Sequence, residues 1–81
     1  MTVRLSDGVI ILEGACLLDD ATILLDLMLA HPAATIDLDK CTRLHMAVAQ
    51  VLLAAQRPVL RPPDDAFLRE RLAVLLPTVA N

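Results

Sequence analysis

The spacing of apolar positions divides the chain into short strands and helices. Two apolar runs, 3–5 and 9–12, flank the tripeptide Ser6-Asp7-Gly8. Asp-Gly between two apolar runs is typical of a tight β-hairpin, so these runs are predicted to pair as antiparallel strands. Gly14 then ends the second strand.

A first helix is predicted from about Asp20 to Ala30. Asp19 or Asp20 suits its N-cap, because a carboxylate is attracted to the positive end of a helix. Pro32 restricts the residue before it and therefore ends the helix at His31. The His31 side chain is then placed to interact with the last helical carbonyls.

The run 35–38 is predicted as a third strand, and the helix after it has the clearest periodicity. The apolar residues of this helix recur at the spacing of one helical face: Leu44, Val48, Val51, Leu52 and Ala55. Thr42 suits the N-cap of the helix. Arg57-Pro58 ends it, because a residue before proline is disfavoured in a helix.

The last elements are a short strand at Val59-Leu60 and a helix that starts at Asp64. Pro58 and Pro62-Pro63 on its two sides suit an edge strand, where a missing hydrogen-bond donor does little harm. The order ββαβαβα predicts an α/β fold with a mixed four-stranded sheet, in which the first two strands are antiparallel and the others parallel. The last helix is expected to bury Phe67, Leu68, Leu72 and Leu75.

Length and composition favour one domain with an apolar surface. The 81 residues suffice for a single domain, 1–81. Hydrophobic residues make up 57% of the chain, and Phe67 is its one aromatic residue, so the core must consist mainly of Leu, Val, Ile and Ala. A chain this short buries only part of its surface. The apolar residues left outside suggest a contact with another protein.

Charge and hydropathy argue against two other kinds of partner. The net charge is −3 and no stripe of Lys or Arg appears, so nucleic acid is not expected as a partner. The apolar runs are much shorter than the roughly 20 residues that a membrane span requires. Arg4 and Asp7 interrupt the N-terminal run, which is not the pattern of a signal peptide, and a cytoplasmic protein is expected.

Cys16 and Cys41 each follow a predicted strand and are expected to be buried free thiols. They could lie close together, although a structural disulfide is the less favoured interpretation. Cys41 and His45 are four residues apart, so the two cysteines and His45 suggest a metal- or ligand-sensing domain as an alternative function. The lack of a Cys-x-x-Cys pair favours core thiols and a surface histidine instead.

The sequence features of an enzyme are missing from the pattern. Gly8 and Gly14 are the two glycines of the chain, too few for a glycine-rich phosphate loop. Asp37 and Asp39 could pair with His45, but helix capping and a solvated loop explain these acids equally well. We therefore expect no catalysis, no cofactor and no metal.

One segment carries a family resemblance. Ile36-Asp37-Leu38 is an apolar strand ending in Asp-Leu, Asp39 to Arg43 is a polar loop with a Thr, and Gln50 to Ala55 is a Leu-rich helix body. His45-Met46-Ala47-Val48 stands where an Asp-Ser-Ala-Gly-type helix start would be. This pattern and the order of elements resemble the STAS domain, the fold of bacterial anti-sigma factor antagonists. The resemblance implies a signalling module whose partner is an anti-sigma factor with a kinase-like fold, or another signalling or transport ATPase.

The chain departs from this family at the family's regulatory position. Regulated STAS proteins carry a phosphorylated Ser or Thr where this chain has Met46, and a thioether has no hydroxyl to phosphorylate. His45 also replaces the acidic neighbour. Phosphoregulation at the usual position is therefore not expected. Phosphorylation of Thr42 would be favourable beside a helix N-terminus, but helix capping explains Thr42 without it.

The loop and the outward face of the second helix are the predicted docking surface. If Leu44, Val48 and Val51 point inward, the opposite face is apolar and nearly uncharged, which suits another protein's helix or groove. The predicted partner-binding residues are Asp39, Thr42, His45, Met46, Ala49, Gln50 and Leu53. The alternative is that the last helix or a second copy of the chain covers this face, so a homodimer is a further candidate.

Overall fold

The computed structural model describes residues 2–73. Within this range the chain forms six strands and three helices around one hydrophobic core. The predicted burial of Phe67, Leu72 and Leu75 lies outside what the structure describes, whereas Leu68 is half-buried against the core. The elements are β1 (Val3–Ser6), β2 (Val9–Leu12), β3 (Gly14–Cys16), α1 (Leu18–Ala30), β4 (Thr35–Asp37), β5 (Cys41–Leu44), α2 (Met46–Ala55), β6 (Val59–Arg61) and α3 (Ala66–Ala73).

A four-stranded sheet in the order β1-β2-β4-β6 forms the centre of the fold. β1 and β2 pair antiparallel with Ser6 opposite Val9, so Asp7 and Gly8 form the whole turn. Their φ angles are positive, 49° and 78°, as the favoured two-residue hairpin turn requires. β4 is parallel to β2 and to β6. The predicted α/β fold with its mixed sheet is therefore confirmed.

β3 and β5 form a second, two-stranded sheet, which the sequence analysis does not predict. These strands are parallel and have three and four residues, too short to show an alternation. Gly14, with a φ of 67°, redirects the chain after β2, and its N–H donates to the Lys40 carbonyl at 2.8 Å. The observed order is therefore βββαββαβα, in which β3 follows β2 and β5 follows β4 before each helix begins.

The start of α1 differs from the prediction. The helix begins at Leu18, and Leu17 rather than Asp19 or Asp20 occupies the N-cap position. The Asp20 carboxylate lies within the first turn and accepts hydrogen bonds from the Leu17 N–H at 2.8 Å and the Thr2 hydroxyl at 2.6 Å. Asp20 thus stabilises the helix start from inside the first turn, where a negative charge is favourable.

The C-terminus of α1 is held by Arg57 rather than by the predicted His31 side chain. Arg57 Nη1 donates to the carbonyl oxygens of His31 and Ala34 at 3.0 and 3.1 Å, and Nη2 donates to that of Met28 at 2.8 Å. Carbonyls at the end of a helix lack intrahelical partners, and a guanidinium can serve several at once. The connection after α2 is thereby tied to the connection after α1.

Residues 41–44 extend as a strand beside β3, so the prediction of Thr42 as the N-cap of α2 is wrong. The helix begins at Met46, and the N-cap is His45, whose Nδ1 accepts a hydrogen bond from the Ala47 N–H at 3.0 Å. Thr42 is exposed in β5. The helix ends at Ala55, where the next residue turns into the left-handed conformation.

α1 and α2 pack beside each other and cover the core. Leu24 and Met28 of α1, with Val48 and Leu52 of α2, are buried. Burial of each such side chain contributes about 1.5–3 kcal/mol. The same core includes the buried strand residues Val3, Ile10, Leu12, Ile36 and Val59.

Among the helices within residues 2–73, none combines the length and the apolarity needed to cross a lipid bilayer.

Candidate functional site

Two helices begin side by side at one edge of the molecule. β3 and β5 are parallel, so their carboxyl ends, Cys16 and Leu44, lie at the same edge of the small sheet. α1 follows β3 and α2 follows β5 after one residue each. The His45 N–H donates to the Cys16 carbonyl at 2.9 Å, which holds the two strand–helix junctions together. Loops and helix starts at such an edge are common binding positions in α/β proteins.

The two junctions expose large apolar side chains. Leu17 and Leu18 are each 58% exposed, and Met46 is 71% exposed. A groove of about 470 Å³ lies at this edge. We call it the edge groove; it is lined by Leu17, Thr42, Arg43, Leu44, His45, Asp65 and Leu68. Large apolar side chains around a concave surface are typical of a protein-contact site.

The polar groups of the edge groove are few and mostly committed. His45 Nδ1 caps α2, so Nε2 is the ring nitrogen that remains for a ligand. The Asp65 carboxylate accepts a hydrogen bond from the Leu68 N–H at 3.1 Å in the first turn of α3. Thr42 and Arg43 are exposed on β5. The groove therefore offers an apolar wall with one cation, Arg43, and one hydroxyl on its rim.

The structure divides the seven predicted partner-binding residues among several places. Thr42 and His45 line the edge groove, and Met46 begins the helix beside it. Gln50 lines a different groove, between α1 and α2. Ala49 and Leu53 are half-buried, and Leu53 packs against the core. Three of the predicted residues thus line a groove, Thr42 and His45 at the edge groove and Gln50 between the helices, and Met46 adjoins the edge groove.

Asp39, the remaining predicted residue, belongs to an ion-pair cluster with Arg61. Asp37 is 3% exposed, and its Oδ2 accepts hydrogen bonds from Nε of Arg61, at 3.1 Å, and from Nη2. Nη1 of Arg61 lies 3.6 Å from the Asp39 carboxylate. The hydrogen bonds from Arg61 raise the pKa of its guanidinium further above the usual value. Asp37 and Asp39, for which pairing with His45 is one of the interpretations, instead pair with Arg61, and this pairing holds β6 to β4.

Leu17 and Leu18 are the contributors to this edge that the sequence prediction misses. They form an apolar pair between β3 and the acidic start of α1. Leu17 precedes the first helical residue, and Leu18 lies on a different face from Leu24 and Met28, the buried residues of α1. The sequence signal for Leu18 is its position out of phase with this buried stripe.

Cys16 and Cys41 are free and buried in the two strands of the small sheet, as predicted. The Cys16 Sγ lies 3.9 Å from the Thr2 carbonyl oxygen, and the Cys41 thiol donates to the Arg43 carbonyl at 3.4 Å. The neighbouring Cys41 thiol, together with burial, raises the pKa of the Cys16 thiol above its ordinary value. The neighbouring Cys16 thiol lowers the pKa of Cys41, against the opposing effect of burial.

The metal-sensing alternative is not supported by the geometry. Within residues 2–73, no three His, Cys, Asp or Glu side chains are grouped so that they could hold a metal ion. Cys16 and Cys41 contact each other, but His45 directs Nδ1 to the backbone of α2. Two thiols and no third ligand fall short of the usual coordination of a zinc site.

Comparison with known proteins adds no family to these observations. The chain matches no protein-family model, no curated protein and no solved structure.

Proposed function

We propose that this chain is a non-enzymatic protein-interaction module that docks on a regulatory partner through the edge groove and the exposed start of α2. The observation that supports it best is the exposure of Leu17, Leu18 and Met46 at the two helix starts, next to a groove of about 470 Å³ that Leu17 lines. Apolar side chains of this size lose contact with water when a partner covers them, which favours association by roughly 25 cal/mol per Å². A projecting apolar side chain of the partner would enter the groove.

The resemblance to STAS domains supports a partner of a particular kind. Under this proposal the partner is an anti-sigma factor with a kinase-like fold, or a signalling or transport ATPase, in a bacterial cytoplasm. The resemblance lies in the sequence from Ile36 to Ala55 and in the element order predicted from the sequence. In the structure, residues 41–44 of the predicted loop form β5. Met46 in place of a phosphorylated hydroxyl makes the docking constitutive, because the usual charge switch has no acceptor atom.

Met46→Glu tests the proposal. A carboxylate in a desolvated apolar contact is unfavourable, so we expect the partner captured from the native host by the wild-type chain to be lost, and the affinity for the purified partner to fall at least about tenfold. Leu60→Glu is the control, because Leu60 is an exposed leucine on β6 that lines neither the edge groove nor the groove between α1 and α2. Capture should persist with Leu60→Glu.

The fold of each variant is checked by its thermal unfolding midpoint, which should stay close to that of the wild type because both side chains are exposed. A second variant, Leu17→Glu, approaches the same groove from the other junction. Retention of the partner by folded Met46→Glu and folded Leu17→Glu would contradict docking at the edge groove.

A further inference from the structure

A second groove runs between α1 and α2. It has a volume of about 500 Å³, and its lining residues differ from those of the edge groove. Leu25 and Leu29 of α1 form one wall, and they are 45% and 71% exposed. Met28, which is buried, lies at the base. We call this the interhelical groove.

An exposed stripe extends the α1 wall along the whole helix. Leu18, Thr22, Leu25 and Leu29 follow one another at spacings of four, three and four residues, which places them on one helical face. All four are exposed. The stripe is therefore a continuous, mainly apolar ridge beside the groove, separate from the buried stripe formed by Leu24 and Met28.

The α2 wall is low and uncharged. Ala47 and Ala54 line the groove there, together with Gln50 and Val51. The helix has no charged residue between Met46 and Ala55. Small side chains let another backbone approach closely, so the groove has room for a helix laid between α1 and α2.

The outer flank of the stripe is acidic. Asp19 and Asp26 each follow a stripe leucine by one residue and are exposed. One residue turns a helix by about 100°, so both carboxylates lie on the side of the stripe away from Met28 and α2. A ligand seated on the stripe would therefore meet two carboxylates on one side. On the other side it would meet the uncharged α2 wall and, at one end of the groove, Arg57, whose guanidinium donates to the Met28 carbonyl.

We propose that the interhelical groove binds an amphipathic helix of a partner protein, with apolar residues along the contact and Lys or Arg along the flank that faces Asp19 and Asp26. Opposite charges along this flank would set the orientation of the bound helix. A second copy of the chain suits the surface less well. Two α1 stripes packed antiparallel would bring their Asp19 and Asp26 residues together, and like charges disfavour that pairing. Packed parallel, the two acidic flanks would lie on opposite sides and face the α2 wall, which has no cationic residue between Met46 and Ala55. This site is additional to the proposed docking at the edge groove.

A pair of synthetic peptides tests this assignment. Both are capped amphipathic helices with leucines at i, i+4, i+7 and i+11; one carries lysines along one flank of the leucine stripe and the other carries glutamates there. Calorimetric titration into the full 81-residue chain should show binding of the lysine peptide at least about tenfold tighter than that of the glutamate peptide. Leu29→Glu should weaken the lysine peptide at least about tenfold, whereas Leu17→Glu should leave its affinity unchanged.

Asp26→Lys separates local from overall charge. It should lower the affinity ratio of lysine to glutamate peptide at least about fivefold more than Asp7→Lys, which makes the same change of charge at the hairpin tip. Equal effects of the two substitutions, equal binding of the two peptides, or absence of binding would overturn the proposal. So would a dimer of the wild-type chain in sedimentation that Leu29→Glu dissociates, because a second copy would then occupy the groove.

Discussion

Arg57 shows how a single side chain connects parts of the fold that are far apart in sequence. Its guanidinium donates to the carbonyl oxygens of Met28, His31 and Ala34, which lie 23–29 residues earlier in the chain. These bonds fix the end of α1 and the entry into β4. The sequence pattern indicates only that Arg57 ends α2. In the structure its side chain also holds the connection from α1 to β4.

Arg57→Ala should lower the free energy of unfolding by about 1.5–3 kcal/mol, because charged hydrogen bonds to the carbonyls at the end of α1 are lost. Arg57→Lys should recover only part of this, since an ammonium group cannot span all three oxygens. Urea denaturation measures both. The exposed Arg43→Ala is the control for loss of charge; an equal effect there would contradict the role of the hydrogen bonds.

The thiol pair makes a prediction about alkaline pH. The raised pKa keeps Cys16 protonated in the folded state, while the unfolded thiol ionises above about pH 8.5. Above that pH the unfolded state binds fewer protons, so stability should fall with a slope approaching about 1.4 kcal/mol per pH unit. The lowered pKa of Cys41 acts in the opposite direction: its stabilisation grows while the unfolded thiol ionises and is complete only about one pH unit above 8.5, so the fall due to Cys16 is fully expressed above about pH 9.5.

Denaturation under reducing conditions between pH 8 and 10 measures this slope, because the window extends above the ordinary thiol pKa of about 8.5. The chain has no Tyr, so few other groups titrate in this window. Cys16→Ala should remove most of the slope. A wild-type stability that does not fall between pH 9.5 and 10, about one unit above the ordinary thiol pKa, would contradict the raised pKa of Cys16.

At the scale of elements, α2 begins at an N-cap residue that the sequence pattern does not indicate. His45 Nδ1 accepts the Ala47 N–H, although the preferred N-cap residues are Asp, Asn, Ser and Thr. The imidazole can do this only while Nδ1 is unprotonated. The same residue joins α2 to β3 through its N–H, so one position fixes both the helix start and the edge groove.

His45→Ala should lower the free energy of unfolding by about 1 kcal/mol, whereas His45→Asp should retain or increase it, because a carboxylate caps the helix and favours its positive end. Thr42→Ala should change stability by less than about 0.5 kcal/mol, since Thr42 is an exposed strand residue. Chemical denaturation of the three variants distinguishes the two caps. A larger loss for Thr42→Ala than for His45→Ala would place the cap back at Thr42.

The elements that the sequence predicts are those with strong local signals. Asp7-Gly8 defines the hairpin by its turn chemistry, and the apolar spacing of α2 defines a helix. β3 and β5 escape prediction because each becomes a strand only by pairing with the other across about 25 residues of chain. The edge groove escapes with them, since the junctions meet only when that sheet forms.

At the scale of the whole molecule, apolar surface is concentrated on the helical side. Among residues 2–66 and 68–70, whose side-chain exposure the structure describes, all the large exposed apolar side chains but Leu60 belong to α1, α2 or the junction before α1. The two grooves open on this side. Hydrophobic residues make up 57% of the 81 residues, so large apolar side chains remain on the surface once the core is filled.

Because these apolar side chains lie on the surface, substitutions there should reduce the binding of apolar molecules and leave the free energy of unfolding nearly unchanged. Leu29→Glu and Met46→Glu should each reduce binding of a hydrophobic fluorescent dye to the native protein, and the double variant should reduce it by about the sum, because the sites lie apart. Their unfolding free energies should change by less than about 0.5 kcal/mol. Leu24→Ala, a buried neighbour on α1, should instead cost about 2–5 kcal/mol. Strong destabilisation by Leu29→Glu or Met46→Glu would mean that these side chains belong to the core, and neither groove would then be a free surface.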